Sequence, residues 1–389
     1  MNCQTRDFQH YKNIMIVSAG LGYGGTTLSR VFSSASQSIW CKPNTLNHIG
    51  LPICLIRLES TRTLTTNQAT AVSSTLVPPI ISAKWLSDAL SNNSKNIVVL
   101  DVSWHFEEPE DFRATNKGLF GLFRKEPNTP LVPPRLLPKL EFEKQHIKGA
   151  RFAGLASFTD QLSTLPNTVM YEHEFSKKMG HLGVTPEDHV VVYDSTGTYS
   201  SPRAWWTLKF FGHDKVSVLD GGLPKWIKED GALESSMPSI TPTLYPEVKE
   251  NKDMLIECQE LKLILTDFTS ANPYTLLDTR SQDRFSGRVE EPRPKVKPGY
   301  IPSAINIPYT ELLEQDGTLK DVNDLALEFE SRSIDYHNRS IVTMSGSGVT
   351  AAIAYLALEI VGHSKKRRMF DGGWTEWAMG SKNPRKLWV

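Results

Sequence analysis

The residues whose types and spacing could do chemistry lie in Ser345-Gly346-Ser347-Gly348-Val349-Thr350. The two glycines permit positive φ angles, so successive backbone N–H groups can turn inward, and a following helix adds the partial positive charge of its first turn. Such a loop is an anion cradle. Its serines become nucleophiles only if a positioned base takes their proton, and the sequence offers no evident base nearby. The flanks must hold this loop in place. Ile341 and Val342 read as a short strand buried on both faces, and Ala351 to Val361 is apolar on nearly every side, which predicts an internal helix ending at Gly362.

The pattern around the loop occurs twice. Leu100-Asp101 answers Leu277-Asp278, and His146-Ile147 answers Tyr300-Ile301. YDSTGTYSSPRAWW answers MSGSGVTAAIAY, and Gly212-His213 answers Gly362-His363. Asp220-Gly221-Gly222 with Trp226 answers Asp371-Gly372-Gly373 with Trp377. In the first copy strands alternate with helices: IISAKWLSDAL as helix, NIVVLDVSW as strand, EFSKKMGHLG as helix, HVVVYD as strand, SPRAWWTLKFFG as helix, then VSVLDGG. Alternation of this kind predicts α/β units, each a parallel sheet with helices on both faces. The units expected are 78–237 and 253–389, joined by a polar, proline-bearing linker at 238–252. Phe106 to Lys144, with its repeated prolines, reads as an irregular surface insertion.

The duplication and the wording GSGVTA resemble two-domain rhodanese-type sulfurtransferases, in the mercaptopyruvate branch, over about the last 310 residues. The resemblance implies tandem rhodanese-like domains, sulfur transfer from 3-mercaptopyruvate or thiosulfate to cyanide or to a thiol acceptor such as thioredoxin, and no cofactor. In that family the loop begins with a cysteine that carries the sulfur as a persulfide. Here it begins with Ser345, so lost or strongly impaired catalysis with anion binding retained is expected, as in a pseudoenzyme. An active enzyme using another nucleophile is the alternative. A thiol of pKa about 8.5 is readily ionised beside helix N-termini and cations, whereas an alcohol titrates far higher.

The same resemblance assigns Ser347 as the loop's second serine, in a proton relay, and Arg284 and Arg293 as the pair gripping the substrate carboxylate and carbonyl. A guanidinium fork suits a planar carboxylate. Read without the resemblance, the two arginines are loop ion pairs, partners of Glu290 or Glu291. Gly346, Gly348, Val349 and Thr350 would complete the substrate cradle. The family's Asp and His that serve the relay fall on Ala156 and Asn167, neither of them a base, with Asp160 or His173 as substitutes and Ser347 otherwise without partners. Asp194 stands where Ser345 stands in the second copy; the resemblance implies that the first domain normally lacks the cysteine too, so Asp194 is expected to be structural.

Composition bounds the rest. The 389 residues allow two domains and more at about 150 residues each. Lys and Arg equal Asp and Glu at 43 each, so no global field favours nucleic acid. The four cysteines, Cys3, Cys41, Cys54 and Cys258, form no C-x-x-C and suggest a reducing compartment; Cys258 reads as a helix-face packing residue. The histidines show no metal-binding spacing. No run of about 18 apolar residues suggests a membrane span. Residues 1–77 carry six Lys and Arg against Asp7 and Glu59 and are rich in Ser and Thr, as a transit peptide or a disordered tail would be. Mitochondrial or cytoplasmic location follows. Gly20-Leu21-Gly22-Tyr23-Gly24-Gly25 satisfies a dinucleotide pattern but lacks the acidic residue about 20 positions on. Lys365-Lys366-Arg367-Arg368 reads as a solvated loop, and Trp205, Trp206, Trp226, Trp374 and Trp377 as core.

Overall fold

Burial of β-branched runs sets the architecture. The structure, a computed structural model, describes residues 77–92, 96–106, 137–266 and 274–380. The tail, its glycine motif, Cys3, Cys41, Cys54 and residues 107–136 of the insertion lie outside these. The strands are β1 (Ile80–Ile81), β2 (Ile97–Asp101), β3 (His146–Ile147), β4 (Arg151–Phe152), β5 (His189–Tyr193), β6 (Val216–Leu219), β7 (Leu233–Glu234), β8 (Tyr274–Asp278), β9 (Ile305–Asn306), β10 (Ser340–Met344) and β11 (Arg367–Met369). The first sheet runs β1-β6-β5-β2-β4 and the second β11-β10-β8-β9, every pairing parallel. The orders β6-β5-β2-β4 and β11-β10-β8-β9 match strand for strand. β1 has its counterpart in a single parallel bridge from Leu255 to Met369. β3 and β7 form a separate antiparallel pair.

The helices are α1 (Ala83–Ser91), α2 (Leu137–Lys144), α3 (Glu172–His181), α4 (Ser201–Phe210), α5 (Gly222–Lys228), α6 (Cys258–Thr266), α7 (Gln282–Phe285), α8 (Val322–Ser331), α9 (Ala351–Ile360) and α10 (Gly373–Met379). α2 corrects the sequence reading, which left its residues in the irregular insertion. Pro138 is the second residue of α2, where a missing N–H breaks no intrahelical bond, and Phe142 packs its ring on His146 at 3.8 Å between centroids. α9 is buried all round as expected, every residue from Ala351 to Leu358, and stops before Gly362 at φ +75°.

One hydrophobic cluster passes through both units, because α4 and α9 pack on each other. Trp205 and Trp206 of α4 meet Tyr355 of α9 edge-on at 6.3 and 6.5 Å. Trp226 and Trp374 are also core, and Trp377 packs against it. Cys258 is buried on α6 and its thiol is pushed up by burial. Lys365 and Lys366 are exposed as read, but Arg367 and Arg368 are not a solvated loop. They lie in β11, paired with Glu359 and Glu260, because an edge strand needs its charges satisfied where its side chains turn inward. Among the described residues no helix is long and apolar enough to cross a membrane.

The repeated Asp-Gly-Gly is explained by what lies beneath it. Gly222 and Gly373 take φ +52° and +54°, and a Cβ on either would collide with the carbonyl oxygen of the residue that opens the neighbouring loop, Asp194 or Ser345. Those carbonyls accept the N–H groups of Leu223 and Trp374 at 3.0 and 2.8 Å. Gly373→Ala should therefore cost about 3 kcal/mol or more in urea unfolding, since left-handed strain and a backbone collision combine. Gly362→Ala has open space around its Cβ and should cost only about 1 kcal/mol.

Candidate active site

The loop Ser345–Thr350 leaves the end of β10 and enters α9. α10 holds it from one side: Ser345 O accepts from Trp374 N–H, and Gly346 O accepts from Thr375 N–H at 3.0 Å and Thr375 Oγ1 at 2.7 Å. With these carbonyls turned toward α10, the amides are turned away from it. Among the described residues, none of the N–H groups from Gly346 to Ala351 reaches a protein acceptor. Val349 is anchored in the core at 3% exposure and offers the site only its backbone. Thr350 Oγ1 bonds Thr279 Oγ1 at 2.9 Å, so its hydroxyl is likewise occupied.

Ser345 is 2% exposed, and no described side chain hydrogen-bonds to its Oγ. It lacks the base that would make it a nucleophile. Ser347 corrects the expectation that it stands alone. Its Oγ accepts from Asn167 Nδ2 at 2.9 Å and from Arg293 Nη2 at 3.1 Å. Neither partner is a base: a guanidinium stays protonated, and a side-chain amide takes up no proton at neutral pH. Ser347 can thus donate its own hydroxyl proton to an anion but cannot be deprotonated by these neighbours. Asp160 and His173 do not replace the missing relay. The Asp160 carboxylate caps a turn at Leu162 N–H, and His173 lies exposed beside Tyr171. Ala156 lines the same cavity as Asn167 and contributes no polar group.

Asn167 is brought there by a clamp between the units. Asp371 accepts Val169 N–H at 2.8 Å and pairs with Arg203 of α4 at 2.5 Å, while Arg203 Nη2 donates to Asn167 O at 2.9 Å. Asn167 takes φ +59°, a left-handed angle that asparagine tolerates. Arg203 also passes beneath the loop, where a Cβ on Gly348 would lie 2.6 Å from its Nη1.

Both arginines approach the loop, and one of them is held by the ion pair that the sequence offered as its alternative. A Cβ on Gly346 would stand 2.8 Å from Arg284 Nη2 and 3.6 Å from Arg293 Nη1, so both guanidinia face the loop at its first glycine. Arg284 spends its Nε–Nη2 edge on Glu291, at 3.3 and 2.6 Å, which was the ion-pair alternative. The same Nη2 is the Arg284 atom nearest the loop at Gly346, so one guanidinium nitrogen faces both Glu291 and the site. Glu291 is shared with Arg280 at 2.8 Å, and Arg280 forks onto Asp278, giving a buried row of alternating charge. Arg293 stacks on Phe106 at 5.1 Å and donates to Ser347.

Tyr199, one residue before the N-cap of α4, escaped sequence reasoning. Its ring lies between Trp104 and Tyr309, at 6.2 and 5.5 Å, with the fields of Arg284 and Arg293 upon it. Burial holds its phenol protonated, far above the usual range, against the pull of the arginines. Its signal was a lone aromatic in the polar run TGTYSS. A cavity of about 1260 Å³ opens beside these groups, lined by Trp104, Phe106, Ala156, Asn167 and Arg293. Among the described residues no cluster of His, Cys, Asp or Glu is arranged to hold a metal ion.

Fold and site together define a two-unit α/β protein in which a strand-loop-helix cradle is built twice, with two arginines and two serines gathered at the second. The rhodanese-like domain family model matches residues 82–229 and 258–379. The 3-mercaptopyruvate sulfurtransferase of Escherichia coli is 36% identical over 250 residues, 63% of this chain and 84% of that protein. The thiosulfate/3-mercaptopyruvate sulfurtransferase 1, mitochondrial, of Arabidopsis thaliana is 30% identical over 316 residues, 77% of this chain and 76% of that protein. A crystal structure from Escherichia coli, described as a 3-mercaptopyruvate sulfotransferase with the rhodanese fold, superposes with TM-score 0.61 at 28% identity, over 77% of this chain and 99% of that one. The chain belongs to the rhodanese-like family, among the homologues of the mercaptopyruvate sulfurtransferases.

Glu291 neutralises two cations at once, so Glu291→Gln should destabilise the protein by about 3 kcal/mol in urea unfolding at pH 7. Glu290→Gln, on an exposed neighbour, should change stability by less than about 0.5 kcal/mol.

Proposed function

We propose that this rhodanese-family protein binds a small anion of the 3-mercaptopyruvate or thiosulfate type at the Ser345 loop and has lost, or nearly lost, the ability to carry sulfur. The observation behind this is a serine hydroxyl, without any described base beside it, at the position from which a persulfide would have to be carried. A persulfide forms when a thiolate takes a sulfane sulfur from the donor. An alcohol oxygen is neither ionised at neutral pH nor able to hold that sulfur. Ser347, Arg284, Arg293 and the amides of Gly346, Gly348, Val349 and Thr350 keep the capacity to hold an anion.

Turnover through another nucleophile is not supported by the described residues. Cys258 is packed in the second unit's core with a raised thiol pKa, the opposite of an activated cysteine. If transfer did occur, a thiol such as thioredoxin would be the acceptor. The basic, acid-poor segment 1–77 and the mitochondrial relative support a mitochondrial location, with a cytoplasmic one as the alternative.

Incubation with 3-mercaptopyruvate and a thiol should yield no sulfide or pyruvate above background, and turnover matching a cysteine-bearing relative would sink the reading. Ser345→Cys should recover activity only in part, at least about 10²-fold below such a relative, because Ala156 and Asn167 supply no proton relay. Full recovery would show that those two positions do not matter. Arg284→Ala should weaken pyruvate binding by about tenfold in calorimetry.

A further inference from the structure

The cavity beside the arginines is larger than a three-carbon acid needs. Its volume of about 1260 Å³ exceeds the roughly 300–1,000 Å³ of most small-molecule pockets. One wall belongs to the first unit and takes no part in the anion loop: it is the outer face of α3. His173, Lys177 and His181 stand there at successive turns of the helix, with Glu174 and Lys178 in the next row, and all five border the cavity. The other face of α3, with Phe175 and Met179, is buried in the core. Helical period thus divides α3 into an apolar side and a basic side, and the basic side borders the cavity.

The charges of this wall are not answered within the described protein. Glu174 stands four residues before Lys178 but turns back to the start of the helix, where it accepts from Tyr171 N–H at 3.4 Å. Among the described residues Lys177, Lys178 and Lys139 of α2, which borders the cavity as well, make no ion pair. Lys178 is half-buried, with its ammonium 5.9 Å from the centre of the Phe158 ring. Burial lowers its pKa, and no neighbouring carboxylate offsets this. A cation drawn out of water is normally paired with an anion. Across from these bases the lining is apolar, at Trp104, Phe152 and Pro166.

We propose that this groove is a docking site for an acidic peptide segment of a partner protein. Its carboxylates pair with Lys177, Lys178 and Lys139, and the apolar residues between them rest on Phe152 and Trp104. The spread of the charge selects a peptide over a compact phosphate ligand. From His173 to His181 the basic face extends about 12 Å at 1.5 Å per residue, which matches charges carried at intervals along a chain and not oxygens gathered on one phosphorus. A field of this sign also steers acidic partners toward the groove. The site uses none of the loop's amides and does not rest on the function proposed above.

Fluorescence anisotropy with a labelled ten-residue peptide alternating glutamate and leucine, set against its glutamine counterpart, tests the proposal. The glutamate peptide should bind at least about tenfold more tightly, and its affinity should fall at least about tenfold as salt rises from about 0.05 to 0.5 M. Lys177→Glu/Lys178→Glu should lose at least about tenfold in affinity. Lys144→Glu/Lys148→Glu makes the same change in net charge on exposed lysines outside the cavity lining and should lose less than about twofold. Should position 178 not tolerate a glutamate, Lys177→Glu/His181→Glu, confined to exposed residues, should show the same loss. Equal binding of the two peptides, equal loss in the cavity and control variants, or displacement of the label by tripolyphosphate at lower concentration than by unlabelled peptide would overturn the proposal. Pyruvate affinity is read separately in calorimetry, so either reading can fail without the other.

Discussion

Six consecutive amides, Gly346 to Ala351, point out of a strand-to-helix turn with no protein acceptor among the described residues, and the geometry around them exists to keep them so. A turn of this kind is costly to bury, at about 1–3 kcal/mol for each unsatisfied group. The fold meets that cost with rigid supports. α10 anchors the carbonyls of Ser345 and Gly346, Val349 sits in the core, and Thr350 is tied to Thr279. Backbone fixed this firmly cannot relax to find its own acceptors, and so it stays poised for an external one.

The tandem arrangement supplies the second half of the site. Asp220 and Asp371 begin matching Asp-Gly-Gly turns, and each reaches across to the other unit, Asp220 to Leu319 N–H at 2.8 Å and Asp371 to Val169 N–H and Arg203. Partial burial pushes the Asp220 carboxyl up to about 6. Through Arg203 and Asn167 the interface delivers a first-unit amide side chain to Ser347. A relay serine surrounded by donors is suited to holding a negative charge and unsuited to moving a proton. Arg284, locked by Glu291, and Arg293, braced on Phe106, reinforce the same sign of field.

The proposed loss of sulfur carriage with the cradle kept is coherent in physical terms. Replacing sulfur by oxygen at one position leaves every backbone support of the loop untouched, because those supports involve carbonyls and amides, not the Ser345 side chain.

Much of this was legible in the chain itself. The matched motifs, the β-branched run at Ile341 and Val342 and the all-apolar helix from Ala351 identified two α/β units and the loop, because hydrophobic period and glycine placement are local properties. The identity of residue 345 bounded the chemistry for the same reason. Contacts distant in sequence needed the fold. Only the tertiary structure gave Ser347 its partners Asn167 and Arg293, turned the fork of Arg284 onto Glu291, set Tyr199 beside both arginines, and made α2 from a proline-bearing stretch. It alone disclosed that the Asp194 carboxylate fills the first unit's cradle, accepting from the amides of Tyr199, Ser200 and Ser201 at 3.0, 3.0 and 2.9 Å, while Ser345 leaves the other open: which amides find an acceptor depends on where the backbone aims them, and residue types do not encode that direction.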